Sequence, residues 1–120
     1  MKRILVVDDD EQVRQIVKKY LKKQGYHVYA AESGAKALSL LEAFQPDLVF
    51  LDIVMPDMSG LDVLPMIKQK YPELRVIMLT GLNQEEIWRK AMTSGATDFL
   101  SKPFSFEQLW SNVTLHLALK

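Results

Sequence analysis

Two stretches of the sequence decide the fold: Ile4-Leu5-Val6-Val7, which runs into Asp8-Asp9-Asp10, and Leu48-Val49-Phe50-Leu51, which runs into Asp52. An unbroken apolar tetrad is typical of a strand that is buried on both faces of a sheet. If the two strands are parallel, their carboxyl ends lie at the same edge, where open α/β sheets bind ligands. The sequence therefore predicts a pocket that collects three or four carboxylates for a metal, a proton or a nucleophile.

Helix and strand signals alternate along the rest of the chain. Further strands are predicted at 27–31, 76–80 and 97–101, with the second buried strand at 47–51, and helices at 11–24, 33–45, 61–71, 84–94 and from 105 onward. Pro65 predicts a late start or a kink in the third helix, because proline lacks the N–H that a helix interior needs. Five strands in strict alternation with five helices predict an α/β fold, a parallel sheet with helices on both faces.

The overall composition limits the class of protein. The 120 residues suffice for one domain, which we place at 1–120. The 15 basic and 15 acidic side chains cancel, which argues against direct contact with nucleic acid or an anionic membrane. There is no cysteine, and no apolar run has the length of a signal peptide or a membrane span. We therefore expect a cytoplasmic protein.

The predicted strand ends bring together groups that suit a hard cation. Asp8 and Asp9 follow the first strand and Asp52 follows the third, and two carboxylates about 5 Å apart repel by roughly 3 kcal/mol at an effective dielectric near 20. Such a cluster takes up a proton or binds a cation. An all-oxygen site without histidine or cysteine favours Mg²⁺, or Mn²⁺ in its place. Asp10 is better explained as the N-cap of the helix that follows.

The other strand ends add groups that could assist a nucleophile. An aspartate carboxylate can accept a phosphoryl group, and that transfer depends mainly on neutralising the charge of the phosphoryl oxygens. Thr80 ends the fourth strand and Lys102-Pro103 follows the fifth, so that a hydroxyl and an ammonium group would join the pocket. The combination is far more specific than any of these residues alone.

These residues resemble the receiver domains of two-component response regulators. The matching segments are 4–9, 52–60, 80–81 and 99–104, in the order and spacing of that family across essentially the whole chain. The resemblance implies a flavodoxin-like sheet of five strands in the order 2-1-3-4-5.

The resemblance also implies a role for each site residue. Asp52 would be the phosphoacceptor, with Lys102 and Thr80 holding the phosphoryl oxygens. Magnesium would be bound by Asp9, by Asp8 directly or through water, by Asp52 and by the backbone carbonyl of Val54. Thr80 and Phe99 would form the switch, and the peptide bond before Pro103 would be cis.

The family resemblance implies a signalling function and a set of partners. The domain would take its phosphoryl group from a sensor histidine kinase or a phosphotransfer protein, and it would catalyse only its own phosphorylation and slow dephosphorylation. Val54 and Leu82 occupy positions that tune dephosphorylation in this family. Both are apolar and cannot orient an attacking water, so we expect a long-lived phosphorylated state.

The last two helices suggest a binding surface. Leu109, Val113 and Leu117 form the predicted core stripe of the final helix, so we expect other apolar residues to lie outside it. We hypothesise that Trp88, Trp110 and Leu115 contribute to a face for an output domain, a partner protein or a second copy of the chain.

Two other functions compete with this interpretation. Haloacid-dehalogenase-type phosphatases use a strand-end aspartate and a second aspartate two residues later, a spacing that Asp8 and Asp10 imitate. Gln12, however, stands where that family has threonine or valine, and Asp52 and Lys102 would have no role. A flavodoxin-like FMN protein would need a phosphate-binding loop rich in Ser, Thr and Gly after the first strand, which this sequence lacks.

Overall fold

A parallel sheet with helices on both faces forms the protein, as the alternation predicts. The computed structural model describes residues 2–81 and 84–117. The sheet has five strands in the order β2-β1-β3-β4-β5, and every neighbouring pair is parallel. The predicted topology is therefore confirmed. The elements in chain order are β1 (Arg3–Val7), α1 (Glu11–Lys23), β2 (His27–Ala31), α2 (Gly34–Phe44), β3 (Leu48–Asp52), α3 (Gly60–Lys70), β4 (Arg75–Thr80), α4 (Glu85–Thr93), β5 (Asp98–Ser101) and α5 (Phe106–Leu117).

The central strands are buried on both faces, because each face of the sheet is covered by helices. Residues of β1, β3 and β4 alternate between two apolar clusters. The cluster under α2, α3 and α4 contains Leu5, Val7, Val49, Leu51, Val76 and Met78. The cluster under α1 and α5 contains Ile4, Val6, Leu48, Phe50, Ile77 and Leu79, together with Leu109, Val113 and Leu117. The predicted core stripe of α5 is thereby confirmed.

Side-chain caps define where several helices begin. Asp10 accepts a hydrogen bond from the Gln12 N–H at the start of α1, and Ser33 accepts one from the Lys36 N–H at the start of α2. Ser105 and Gln108 form the predicted capping box: each side chain accepts from the backbone N–H of the other, at 3.1 and 2.9 Å. These contacts are local, which explains why the sequence predicts them.

The third helix differs from its prediction. It begins at Gly60, with Ser59 as its N-cap, and it continues through Pro65 to Lys70. The expectation of a late start is therefore wrong. Val63, Leu64 and Ile67 of α3 are fully buried, and this packing outweighs the one backbone hydrogen bond that Pro65 cannot donate.

None of the helices in the described ranges is long and apolar enough to cross a membrane.

Candidate functional site

Three carboxylates meet at the carboxyl edge of the sheet. Val7 pairs with Leu51 in the parallel register, so the residues that follow β1 lie beside Asp52 at the end of β3. Asp8 is fully buried and Asp52 is 4% exposed, whereas Asp9 is exposed. One oxygen from each of Asp8, Asp9 and Asp52 lies within 4.8 Å of the other two. The structure therefore brings together the three aspartates that the strand ends predict.

Backbone groups fix the two buried carboxylates. Asp8 Oδ1 accepts a hydrogen bond from the Asp10 N–H at 2.9 Å, and Asp52 Oδ1 accepts one from the Val54 N–H at 3.3 Å. Arg14 donates from Nη1 to the Asp8 carbonyl oxygen at 2.7 Å, which ties α1 to the end of β1. The first turn after each strand thus orients the carboxylate at the end of that strand.

Lys102 supplies the positive charge of the pocket. Its Nζ lies 2.6 Å from Asp8 Oδ2 and 3.4 Å from Asp52 Oδ1. The Lys102 N–H donates to the Thr80 carbonyl oxygen at 2.8 Å, and the Lys102–Pro103 peptide bond is cis. The loop after β5 is therefore attached to the end of β4, and the ammonium group bridges two of the three carboxylates.

Burial and neighbouring charges shift the pKa values of both Asp52 and Lys102. Burial and the neighbouring Asp8 carboxylate raise the pKa of Asp52 to about 7, although Lys102 and the Val54 N–H act in the opposite direction. Burial by itself would lower the pKa of Lys102, but its contact with Asp8 and the charges of Asp52 and Asp8 outweigh burial and raise that pKa. Lys102 is therefore a cation at neutral pH, whereas Asp52 is only partly ionised there.

The donor atoms fit a magnesium ion. The carboxylate cluster contributes oxygen atoms only, which is the ligand type that Mg²⁺ prefers over the nitrogen and sulfur ligands typical of zinc. Asp9 is open to solvent, so a cation could bind there and keep several of its waters. The repulsion between Asp8 and Asp52, which contributes to the raised pKa of Asp52, would favour such a cation.

Thr80 and Phe99 lie on the neighbouring strands β4 and β5. Thr80 ends β4, is 4% exposed and pairs with Ser101 of β5. Phe99 is half-buried in β5, and its ring centroid is 6.3 Å from that of Trp88 on α4. The ring of Phe99 thus connects β5, the strand next to Thr80, with the exposed Trp88 on α4.

Comparison with known proteins identifies the family and the fold. The family model of the response regulator receiver domain matches residues 4–114. The chain belongs to the response regulator receiver family. Receiver domains serve two-component signalling and bind Mg²⁺ at an acidic pocket. The resemblance noted from the sequence motifs is therefore confirmed, and the comparisons do not support the phosphatase alternative.

Solved structures agree with this assignment over nearly the whole chain. Chemotaxis protein CheY4 of Vibrio cholerae is 31% identical with a TM-score of 0.94, covering 98% of this chain and 99% of that chain. The receiver domain of NtrX from Brucella abortus is 35% identical with a TM-score of 0.90, at 98% and 99% coverage. Response regulator TrrA from Thermotoga maritima, solved in complex with Mg²⁺-BeF, is 38% identical with a TM-score of 0.86, at 98% and 100% coverage.

A curated relative is a much longer protein. It is a cyclic di-GMP phosphodiesterase of Thermotoga maritima, 38% identical over 111 residues. The match covers 92% of this chain but about 30% of the relative's length. The similarity therefore concerns the receiver portion, and the activity in that relative's name says nothing about this chain's own site.

Asp10 is a structural residue in this receiver domain. Its side chain is exposed and accepts a hydrogen bond from the Gln12 N–H at 2.9 Å, so that it caps α1 instead of joining the carboxylate cluster. The N-cap role predicted for it is confirmed. A phosphatase that used Asp8 and Asp10 would need both carboxylates in the pocket, and this geometry argues against it.

Trp110 is packed differently from the other residues of the predicted binding face. Its ring lies 6.5 Å from the ring of Tyr20 and 6.2 Å from that of Tyr26, so it is half-buried toward α1. Trp110 is therefore less exposed than Trp88 and Leu115, which are 50% and 51% exposed, and its place in the binding face stays a prediction. The periodicity of α5 does not show which neighbouring helix an edge residue contacts.

The structure describes Val54 but not Leu82, the two positions expected to tune dephosphorylation. Val54 is 59% exposed and lies two residues after the end of β3. Leu82 lies outside the described residues. The sequence analysis gave no role to Arg14, although it bonds the Asp8 carbonyl oxygen, because an arginine in a helix has no local pattern that reveals this partner.

Proposed function

We propose that Asp52 is the phosphoacceptor of this receiver domain. The observation that supports this most directly is that Asp52 is a buried carboxylate with an ammonium group 3.4 Å away and with oxygens of two further carboxylates within 4.8 Å. In the transfer, an Asp52 carboxylate oxygen attacks phosphorus while the bond between phosphorus and the donor's imidazole nitrogen breaks, and the imidazole leaves with that electron pair. The donor is a sensor histidine kinase or a phosphotransfer protein.

The cation site would consist of Asp8, Asp9, Asp52 and the Val54 carbonyl. Bound Mg²⁺, or Mn²⁺ in its place, would supply positive charge that offsets the repulsion between the carboxylates and the incoming phosphoryl group. Lys102 would move its ammonium group from Asp8 toward a phosphoryl oxygen, and the Thr80 hydroxyl would donate to another. The site would thus neutralise the phosphoryl oxygens from several directions, as phosphoryl transfer requires.

Phosphorylation would act on the output face through Thr80 and Phe99, the two residues of the proposed switch. A shift of Thr80 toward the phosphoryl group would change the space available to Phe99, whose ring lies next to Trp88. Trp88 and Leu115 would then form part of a face that binds an output domain, a partner protein or a second copy of the chain. We propose that the domain works in the cytoplasm and that its chemistry is limited to its own phosphorylation and slow dephosphorylation.

One labelling experiment tests the phosphoacceptor. The chain is treated with acetyl phosphate and Mg²⁺, and the product is examined for a single adduct that is stable to acid and labile to base. Asp52→Asn should abolish the adduct. Asp10→Asn is the matched control, because asparagine caps a helix as well as aspartate does and should leave labelling unchanged. An adduct that survives Asp52→Asn would refute the assignment, and turnover of a phosphomonoester would favour a phosphatase.

A binding experiment tests the output face. Trp88→Ala and Leu115→Ala should weaken binding of the partner, or self-association, of the phosphorylated chain. Ile16→Ala is the control, since Ile16 is also 50% exposed but lies on α1. Equal effects of all three substitutions, or no effect of any, would count against the proposed face.

A further inference from the structure

The loop between β3 and α3, residues 53–59, is attached to the first turn of α2. Asp57 Oδ1 accepts a hydrogen bond from the Gly34 N–H at 3.2 Å, and Asp57 Oδ2 accepts one from the Ala35 N–H at 3.1 Å. The first amides of a helix have no partner inside the helix and carry partial positive charge, so they suit a carboxylate. The amides of Ala35 and Gly34 hold the pKa of the Asp57 carboxyl below its ordinary range, and the side chain is therefore ionised at neutral pH.

Close packing accompanies these hydrogen bonds. A Cβ atom built on Gly34 would lie 2.6 Å from Cγ of Met58 and 2.9 Å from Cγ2 of Val63. The loop therefore approaches α2 so closely that a side chain at position 34 would displace its neighbours. Both partners contribute to this contact: the loop supplies a carboxylate and an apolar side chain, and the helix supplies free amides and a glycine.

The other end of the loop is fixed to the sheet. The Ile53 N–H donates to the Leu79 carbonyl oxygen at 3.1 Å, and the Ile53 carbonyl oxygen accepts from the Gly60 N–H at 2.7 Å. Between Ile53 and Asp57 lie Val54, the buried Met55, and Pro56, whose ring restricts φ. The position of the Val54 carbonyl thus depends on two anchors, one in the sheet and one on α2.

We propose that Asp57 is a positioning residue for the divalent cation. By bonding the N-terminus of α2, it holds the loop in the conformation in which the Val54 carbonyl completes the site formed by Asp8, Asp9 and Asp52. This inference rests on the proposed cation site. Groups that orient metal ligands from outside the ligand set commonly change metal affinity by about 10- to 100-fold when they are removed.

Isothermal titration of the unphosphorylated chain with Mg²⁺ tests the proposal. Asp57→Ala removes both the negative charge and the hydrogen-bond acceptors, whereas Asp57→Asn removes the same charge but keeps one acceptor oxygen. We expect Asp57→Ala to weaken Mg²⁺ binding by about 10-fold and Asp57→Asn to weaken it clearly less. Ser33→Ala is the matched control, because it deletes the other side-chain cap of α2 without touching the loop, and it should leave the affinity unchanged.

Four results would overturn the proposal. Equal losses in Asp57→Ala and Asp57→Asn would mean that Asp57 acts through its charge alone. An equal loss in Ser33→Ala would mean that any loosening of α2 suffices, and wild-type affinity in all variants would mean that the contact does not matter. If the wild-type chain itself binds no Mg²⁺, the proposed cation site fails and this inference fails with it. Thermal melts establish that each variant is folded at the titration temperature.

Discussion

Replacing Gly60 with alanine should destabilise the protein through one contact. A Cβ atom on Gly60 would overlap the carbonyl oxygen of Asp52 and would lie 2.9 Å from the Asp52 carbonyl carbon and from Ile53 Cα. These are backbone atoms of a buried strand and the turn after it, so they cannot rotate away as a side chain could. The Gly60 N–H also donates to the Ile53 carbonyl oxygen at 2.7 Å, which fixes the close approach.

The expected loss of stability is about 2 kcal/mol. Overpacking costs about 1–3 kcal/mol and more where the neighbours are rigid, while the higher helix propensity of alanine returns at most about 1 kcal/mol. For a chain of this size, a loss of 2 kcal/mol corresponds to a fall in melting temperature of about 8 °C. Gly81→Ala is the control, because a Cβ there would meet no atom within 4 Å. We expect it to change the unfolding free energy by less than about 0.5 kcal/mol.

Urea unfolding of wild type and both variants, followed by far-ultraviolet circular dichroism without Mg²⁺, measures this difference. The free energy of unfolding of Gly60→Ala should be lower than that of Gly81→Ala, with similar dependence on urea in both. If the two variants are equally stable, the contact between α3 and the Asp52 backbone does not constrain position 60, and the estimate from overpacking is wrong.

Three further predictions concern the site and its surroundings. Val54→Asn should speed loss of the phosphoryl group, because an amide can orient the attacking water. The decay of labelled protein measures this rate, and a rate no faster than that of wild type would contradict the prediction. Lys102→Met should abolish labelling by acetyl phosphate. It should also lower the melting temperature, since it removes the ammonium group that lies 2.6 Å from the buried Asp8 carboxylate. Unchanged labelling would refute the role of Lys102 in phosphoryl transfer. Asp57 has a lowered pKa, so its contribution to stability is present above the pKa of the unfolded chain and is lost as the pH falls through the folded-state pKa. The difference in melting temperature between wild type and Asp57→Asn should therefore be constant near neutral pH and shrink below about pH 4; a difference that persists at lower pH would show that ionisation is not its cause.

The chemistry of the site follows closely from the sequence because it lies at strand ends. Two apolar tetrads predict buried strands, and the aspartates directly after them have no freedom to lie elsewhere than at the carboxyl edge of the sheet. The caps at Asp10 and Ser105 are equally local, since each contact spans two or three residues. In all these cases the partner in the folded protein is a near neighbour in the chain or is fixed by strand direction.

Contacts between distant segments depend on how the helices are rotated and packed, which periodicity does not determine. Trp110 packs against the rings of Tyr20 and Tyr26, a contact that its position in α5 does not predict. The third helix continues through Pro65 because buried neighbours favour it, despite the local preference against proline. Each of these outcomes is decided by burial against another element.

The sequence by itself determined the parallel sheet, the burial of its central strands on both faces and the carboxylates at its edge, because strand periodicity and chain direction are local properties. Only the tertiary structure decided that Lys102 bridges Asp8 and Asp52, since this requires residues at the ends of three strands to meet. It also decided that Asp57 bonds an α2 amide 23 residues away, a contact that exists because the loop and the helix end approach each other in space.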